Sequence, residues 1–296
     1  MTQRFLTPEL ELNELPEKPI NVASVPQRSP FRYPGGKTWL VPKFRRWMKN
    51  SGGAVPVLIE LFAGGGIISL TAAFENLASE IIMVELDEQV AAVWKAIFEG
   101  DAQWLANRIL DFELDCDSVK KVLEKKATSL REKAFQTLLK NRTAHGGILA
   151  PGAGIIKNGE NGKGLHSRWY PATIARRIRA IESVAFKVNF IHGDGFKVME
   201  KFSERSDVVF FIDPPYTAGG KRAGSRLYHH FNIDHDRLFA LCKRIRGDFL
   251  MTYDNADEVQ RMAEKYGFET KPVPMKNTHH AKLDELLIGK NLAWME

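Results

Sequence analysis

Cysteine is nearly missing from the chain: Cys116 and Cys242 are the only two among 296 residues. Two thiols cannot build a disulfide framework or a cysteine-rich zinc site, so both are excluded. Long apolar runs are also missing, and none approaches the roughly 20 residues needed to cross a bilayer. The first residues carry Glu9, Glu11, Glu14 and Glu17 among prolines, without the apolar stretch of a signal peptide. A cytosolic location and no membrane contact are therefore expected. No internal repeat or low-complexity segment occurs. No His-x-Glu is followed by a cysteine pair, so zinc-dependent deamination is excluded. His229–His230 and His279–His280 lack the companions a metal site needs and read as solvated loop residues, so no metal is expected.

What is present is ordinary in amount and uneven in placement. The hydrophobic fraction of 44% and charged fraction of 26% are those of a soluble globular protein. Its length fits one large domain or two smaller ones. Net charge is +6, a modest excess. Between Leu130 and Ala180, however, ten basic residues face only Glu132 and Glu160, a local net of +8. A basic block with Trp169, Tyr170 and a glycine-rich loop resembles a nucleic-acid surface. A solvated helix face accounts equally well for Arg176, Arg177 and Arg179 alone. Trp39, Trp47, Trp94 and Trp104 read as packing residues.

The chain is organised around Val208–Ile212, an apolar run that reads as a strand buried on both faces. It stops on Asp213, Pro214, Pro215 and Tyr216. In open α/β sheets, ligands sit past the carboxyl ends of strands, so these four residues should face a pocket. A carboxylate, a carbonyl held by prolines and a phenol suit a planar group bearing an NH2; the plain alternative is a turn.

Two upstream signals add weight. Val55–Phe62 reads as a strand ending in Ala63-Gly64-Gly65-Gly66, followed by a helix over Ile67–Glu75. That strand, loop and helix form the first unit of a doubly wound fold, with room for a ligand at the helix N-terminus. Ser69 stands where the third glycine of a dinucleotide fingerprint would be. Glu60 could accept a ligand's amino group, or could cap the helix. A second strand, Ile81–Glu85, ends in an acid placed to bond ribose hydroxyls, an arrangement shared by NAD enzymes and methyltransferases. Earlier, Tyr33-Pro34-Gly35-Gly36-Lys37-Thr38 fails as a P-loop, since its first glycine would fall at Phe31. It reads instead as a tight turn opening a helix.

Residues 1–28 are expected to form a mobile or loosely docked arm. Helices are expected over Gln89–Phe98, Ser118–Lys140 and Pro171–Ser183, with a glycine-rich loop or hairpin over Ala144–His166. Alternation resumes with strands at Val188–Asp194 and Phe249–Tyr253 and helices at Asp234–Ile245 and Asp257–Tyr266. A mobile loop is expected over Ala218–Tyr228. Closing strands fall near Glu269–Val273 and Glu285–Ile288. The fold class is thus α/β, a doubly wound, mostly parallel sheet. Residues 29–98 and 184–296 form the sheet domain, and 99–183 form a mainly helical insert.

Taken together, Phe31-Arg32-Tyr33-Pro34-Gly35-Gly36-Lys37, the Glu60–Gly66 loop and Asp213-Pro214-Pro215-Tyr216 resemble the Dam-type (α-group) DNA adenine methyltransferases, in that family's order. Asn141-Arg142 and Glu285-Leu286-Leu287-Ile288 also look like that family. The resemblance implies a Rossmann-like methyltransferase sheet with one antiparallel strand, S-adenosylmethionine (AdoMet) as donor and adenine N6 in duplex DNA as acceptor. It implies cofactor contacts from Tyr33, Lys37, Glu60, Phe62, Ala63, Gly64, Glu85, Asp194 and Asp213, with Asp194 on the adenine ring. Asp213 and Pro214, beside Pro215, would grip the target amine, and Tyr216 would stack on the flipped base. Asn141, Arg142, Lys163, Arg168 and Arg176 are the expected DNA-binding residues. Relatives often carry Trp at position 33 and Asp at 85. The resemblance also implies a monomer or weak dimer and, in a restriction–modification setting, a separate endonuclease. The rivals are another amine acceptor, such as RNA adenine or cytosine N4, and a catalytically silent DNA-binding protein.

Overall fold

The computed structural model describes residues 22–51, 56–159, 162–216, 233–276 and 282–295. The apolar runs become strands β1 (Val57–Glu60), β2 (Glu80–Glu85), β3 (Val188–His192), β4 (Val208–Ile212), β5 (Asp248–Asp254), β6 (Glu269–Lys276) and β7 (Lys282–Gly289). They form one seven-stranded sheet in the order β3-β2-β1-β4-β5-β7-β6. The first five strands of that order run parallel, and β7 runs antiparallel to both neighbours. This is the expected doubly wound sheet with one antiparallel strand. The chain winds outward from β1 through β2 to β3, then returns to β4 and winds the other way. The switch point therefore lies between β1 and β4, whose ends pair Glu60 with Phe211. A crevice opens there.

Ten α-helices of five or more residues flank the described sheet: α1 (Val41–Asn50), α2 (Ile67–Glu75), α3 (Glu88–Phe98), α4 (Ala102–Leu110), α5 (Cys116–Glu124), α6 (Leu130–Thr143), α7 (Pro171–Glu182), α8 (Gly195–Phe202), α9 (His235–Arg244) and α10 (Asp257–Tyr266). Strand alternation sorts the core. Val209 and Phe211 pack with α1 and α2, whereas Val208, Phe210 and Ile212 pack with α8, α9 and α10. All five residues of β4 are buried, as its apolar run requires. Each buried Phe there contributes about 1.5–3 kcal/mol.

The helical block α4–α7 shares one hydrophobic cluster with α3, Met83 and Phe31, so it is packed against the sheet unit. The expected single helix over Ser118–Lys140 is two helices. Ser129 caps α6 by accepting from Glu132 N at 3.3 Å, and Glu132 accepts from Thr128 N at 2.8 Å. That Ser-x-x-Glu start signal ends any helix continuing from upstream. Helix α4 was not expected, although Ala102, Leu105, Ala106 and Ile109 are all fully buried and recur at helical spacing. The glycine-rich stretch is a loop closed by an Ala144–Ile155 bridge and two 3-10 turns. The end of the expected arm is docked: Val25 is buried beside α1 and α2, and Arg28 bonds Glu75 at 2.7 Å. Trp39, Trp47 and Trp94 are core residues, and Trp104 is partly buried against the helical cluster. The expected loop at 218–228 and both histidine pairs lie outside the described residues.

Candidate active site

A cavity of about 830 Å³ opens at the switch point, within the usual range for small-molecule sites. It is lined by Tyr33, Lys37, Glu60, Phe62, Ala63, Gly64, Glu85, Asp194 and all of Asp213–Tyr216. Every cofactor and catalytic position expected from the sequence thus meets in one space.

The glycine loop follows from backbone demands. Gly64 and Gly66 adopt φ of 48° and 66°, a region that residues with a Cβ avoid. A Cβ on Gly64 would also lie 2.5 Å from Tyr33 Cε1, so the missing side chain is what lets Tyr33 lie across the loop. Trp94 Nε1 donates to Gly64 O at 2.9 Å and fixes the loop from beneath. Tyr33 itself sits on a turn closed by Gly36 N donating to Tyr33 O at 3.2 Å, with Pro34 and a left-handed Gly35 in the middle. Residues 37–40 then make a 3-10 turn that leads into α1.

Glu60 and Glu85 are held by backbone N–H groups. Glu60 accepts from Ser69 N at 2.9 Å, so it does cap the start of α2 while still lining the cavity. Burial pushes its carboxyl up to about 8, helped by the charges of Asp213 and Glu85 and opposed by the Ser69 bonds. Glu85 accepts from Gly64 N and from Asp87 N, both at 2.7 Å. Burial raises it to about 7 against those bonds. Each carboxylate oxygen can accept twice, so Glu85 retains capacity toward the cavity. Asp194 caps α8 through Phe196 N at 2.9 Å. A nucleoside with hydroxyls, an amino group and a cationic centre fits this acid-lined wall. AdoMet is such a group.

The Asp213 corner is more tightly wired than the sequence suggested. Asp213 Oδ1 accepts from Thr252 Oγ1 at 2.7 Å and Tyr216 OH at 3.0 Å and lies 3.0 Å from Lys37 Nζ. Lys37 Nζ also bonds Gly35 O at 2.9 Å and lies 3.4 Å from Glu285 Oε2. Lys37 is 3% exposed. It lines the cavity, as expected of a cofactor contact, and is also counter-ion to two carboxylates. Tyr216 OH bonds Glu285 Oε2 at 3.1 Å, and its ring stacks on Tyr253 at 5.6 Å between centroids. One face of Tyr216 is therefore covered, and Lys37 Nζ lies over the ring, 5.0 Å from its centroid.

The insert divides. Arg142 and Arg168 line the cavity, joined by Arg32, Tyr170 and Arg177, whereas Asn141, Lys163 and Arg176 do not. Lys163 and Arg176 are exposed. Asn141 is 1% exposed and cannot read bases from there: its Oδ1 accepts from Arg32 N at 2.8 Å, and its Nδ2 donates to Arg32 O at 3.0 Å and Gly147 O at 2.7 Å. Arg142 is also buried, with Nε donating to Pro30 O at 3.0 Å. Both residues hold the Pro30–Tyr33 segment, and of the two only Arg142 also lines the cavity. Thr252 and Tyr253 carry no sequence signal as site residues, and Arg177 stands out only within the basic block. Glu285 enters through the resemblance of Glu285-Leu286-Leu287-Ile288, an acid opening an apolar run on the closing strand.

The sequence profile of the D12 class N6 adenine-specific DNA methyltransferases matches residues 33–276. Curated proteins give no match. Solved structures of similar fold include a SAM-dependent methyltransferase from Agrobacterium tumefaciens, at 10% identity and TM-score 0.41, with 86% of this chain and 62% of that one covered. An rRNA methylase from Streptococcus thermophilus matches at 6% identity and TM-score 0.36, covering 86% and 95% of the two chains. A precorrin-6y C5,15-methyltransferase from Geobacter metallireducens matches at 10% identity and TM-score 0.33, covering 83% and 85%.

Proposed function

The chain belongs to the D12 class of N6 adenine-specific DNA methyltransferases, and from that premise we propose that it methylates N6 of an adenine extruded from duplex DNA. The observation that carries the reading is the state of Asp213. Its Oδ1 is saturated by Lys37, Thr252 and Tyr216 in the cavity that Gly64 and Glu85 also line. With Oδ1 fixed, Oδ2 and the Pro214 carbonyl are the acceptors left for an incoming amine.

AdoMet supplies an electrophilic methyl, so the difficulty lies with the acceptor. An adenine amino lone pair is delocalised into the ring. Two N–H bonds, to Asp213 and the Pro214 carbonyl, favour a pyramidal nitrogen and aim its lone pair. No strong base is needed first, because the nitrogen becomes acidic once alkylated. Orientation of this kind is worth roughly 7–11 kcal/mol. Glu85 would hold ribose hydroxyls, Asp194 and Phe62 the adenine end of the cofactor, and Tyr33 the wall beside Gly64.

Extruding a base costs a few kcal/mol. Stacking against the Tyr216 ring would return about 1–3 kcal/mol. The remainder requires contacts along the strand, which the arginines of the insert side can supply. The test is to incubate the protein with labelled AdoMet and unmethylated plasmid, digest the DNA and separate its nucleosides. Label in N6-methyladenine is expected; label only in RNA, only in cytosine, or in neither nucleic acid overturns the reading.

A further inference from the structure

One wall of the cavity is built from like charges. Arg32, Arg142, Arg168 and Arg177 all line the space that holds Asp213, and they come from four separate stretches of chain. Two are fixed by neutral carbonyls: Arg142 bonds Pro30 O through Nε and Nη2, and Arg177 Nη1 donates to Ser29 O at 3.0 Å. Their charge is oriented without being cancelled. Arg32 is anchored by its backbone through Asn141, and among the described residues its half-buried guanidinium has no hydrogen-bond acceptor. Burial pushes Arg142 down to about 10, with Arg177, Arg32 and Arg168 adding to the effect. Arg32 is lowered too, by burial and then by Arg168. Gathering guanidiniums in this way costs free energy in the free protein, and an oxyanion placed among them relieves it. On the far side of Arg32 and Arg168 lies a second cavity of about 500 Å³, lined also by His145 and Lys157. Arg32 and Arg168 thus form a ridge shared by the two cavities.

We propose that Arg32, Arg142, Arg168 and Arg177 seat the phosphodiester that flanks the extruded adenosine, the strand crossing the Arg32–Arg168 ridge as it leaves the cavity. Because these guanidiniums line the inside of the cavity, they reach a phosphate only after the nucleotide has left the stack. They act on the extruded state more than on duplex affinity at large. The inference rests on the adenine methylation proposed above and names the strand contact that completes it.

The test uses a duplex carrying the site that the wild-type protein methylates, mapped first. Failure at that step counts against the function and is separate from failure of the seat. The kcat is read on this adenine duplex, and a second duplex with 2-aminopurine at the target, which has no 6-amino group to methylate, reports extrusion alone. Each flanking phosphate in turn, and one six nucleotides away, is replaced by a neutral methylphosphonate. Arg32→Ala and Arg32→Gln keep the Asn141 bonds, which run through the backbone, and Arg177→Gln perturbs the seat independently; thermal unfolding verifies each fold. A neutral linkage at one flanking position is expected to reduce both extrusion and kcat by about tenfold or more, the worth of one charge-assisted bond. Arg32→Ala should cause a similar loss, and the two together no more than either alone, with the AdoMet Kd unchanged. Additive losses, or coupling only to the distant phosphate, overturn the seat. So does a matching rise in AdoMet Kd, which would assign the arginines to the cofactor's carboxylate. A changed sequence preference without phosphate coupling would make Arg32 a base contact and overturn it as well.

Discussion

Lys37 Nζ lies 3.0 Å from Asp213 Oδ1 and is almost wholly removed from solvent, with Glu285 Oε2 at 3.4 Å on the same ammonium. A turn near the start of the chain, the end of the central strand and the antiparallel strand near its close are thereby joined through one cation. Removing one partner of a buried pair costs about 3–5 kcal/mol, because the other charge is stranded. One buried cation is therefore shared by two carboxyl groups at this corner.

Lys37→Met should leave Asp213 and Glu285 facing each other without a cation. Burial pushes the Glu285 carboxyl up, and Lys37 pulls it back. Without that pull, Glu285 holds its proton to higher pH, and the pair cannot keep the charge the corner needs. A fall in kcat of about 100-fold is expected at neutral pH, in line with a loss of about 3 kcal/mol. The acid limb of the pH–rate profile should move upward. Adding Glu285→Gln removes the stranded charge, keeps an oxygen for the Tyr216 hydroxyl, and should restore part of the loss. A double variant no better than Lys37→Met alone would show that Lys37 acts otherwise.

Glu60 predicts a specific stability profile. Its ordinary carboxyl titrates near 4.5 and its folded one near 8. Between these values the folded state holds a proton that the unfolded chain has released. Stability from this group is thus complete below about 4.5, falls as pH rises, and is lost above about 8, over a range of a few kcal/mol. Glu60→Gln keeps an acceptor for Ser69 N and removes the titration. Unfolding midpoints measured from pH 5 to 9 should decline more steeply for the wild type than for the variant. Parallel curves would mean that Glu60 is already charged when folded.

Much of the site was legible because its chemistry sits at strand ends. The run Val208–Ile212 predicted a strand buried on both faces, and position past its end is enough to put Asp213 at the crevice. Glu85 could be placed by its spacing from the glycine loop. The burial and partners of Lys37, Asn141 and Arg142 were not legible, because burial depends on contacts between distant stretches. Asn141 meets Arg32 across 109 positions, and Arg142 meets Pro30 across 112. A composition count sees only polar and basic residues there. The break between α5 and α6, by contrast, was written locally in Ser129 and Glu132 and was overlooked beneath the periodic apolar pattern.

Glu85 should couple cofactor binding to proton release. Raised to about 7, it is roughly half protonated at neutral pH. Ribose hydroxyls donating to it, and a cation nearby, favour the charged form. Binding of AdoMet at pH 7 should therefore release a fraction of a proton. Calorimetry in two buffers of different ionisation enthalpy measures it directly. Glu85→Gln should abolish the buffer dependence and weaken binding. Equal heats in both buffers for the wild type would place the ribose elsewhere.

Asn141 separates a base reader from a loop anchor. Its amide makes three bonds, two to the backbone of Arg32 and one to Gly147 O. Truncation to Ala leaves those buried backbone groups without partners, at about 1–3 kcal/mol each before relaxation. Gly147 cannot close the gap: a Cβ there would meet Arg32 O at 2.3 Å, so the loops are already in contact. Asn141→Ala should lower the unfolding midpoint by several degrees, about what a loss of 1–2 kcal/mol gives in a chain of this size. It should also weaken AdoMet binding, because Arg32 leads directly into Tyr33, which lies across the glycine loop. The set of methylated sequences should stay the same. Sequencing of modified adenines in DNA from cells expressing wild type and variant decides the matter: a shifted site with unchanged stability would return Asn141 to the DNA.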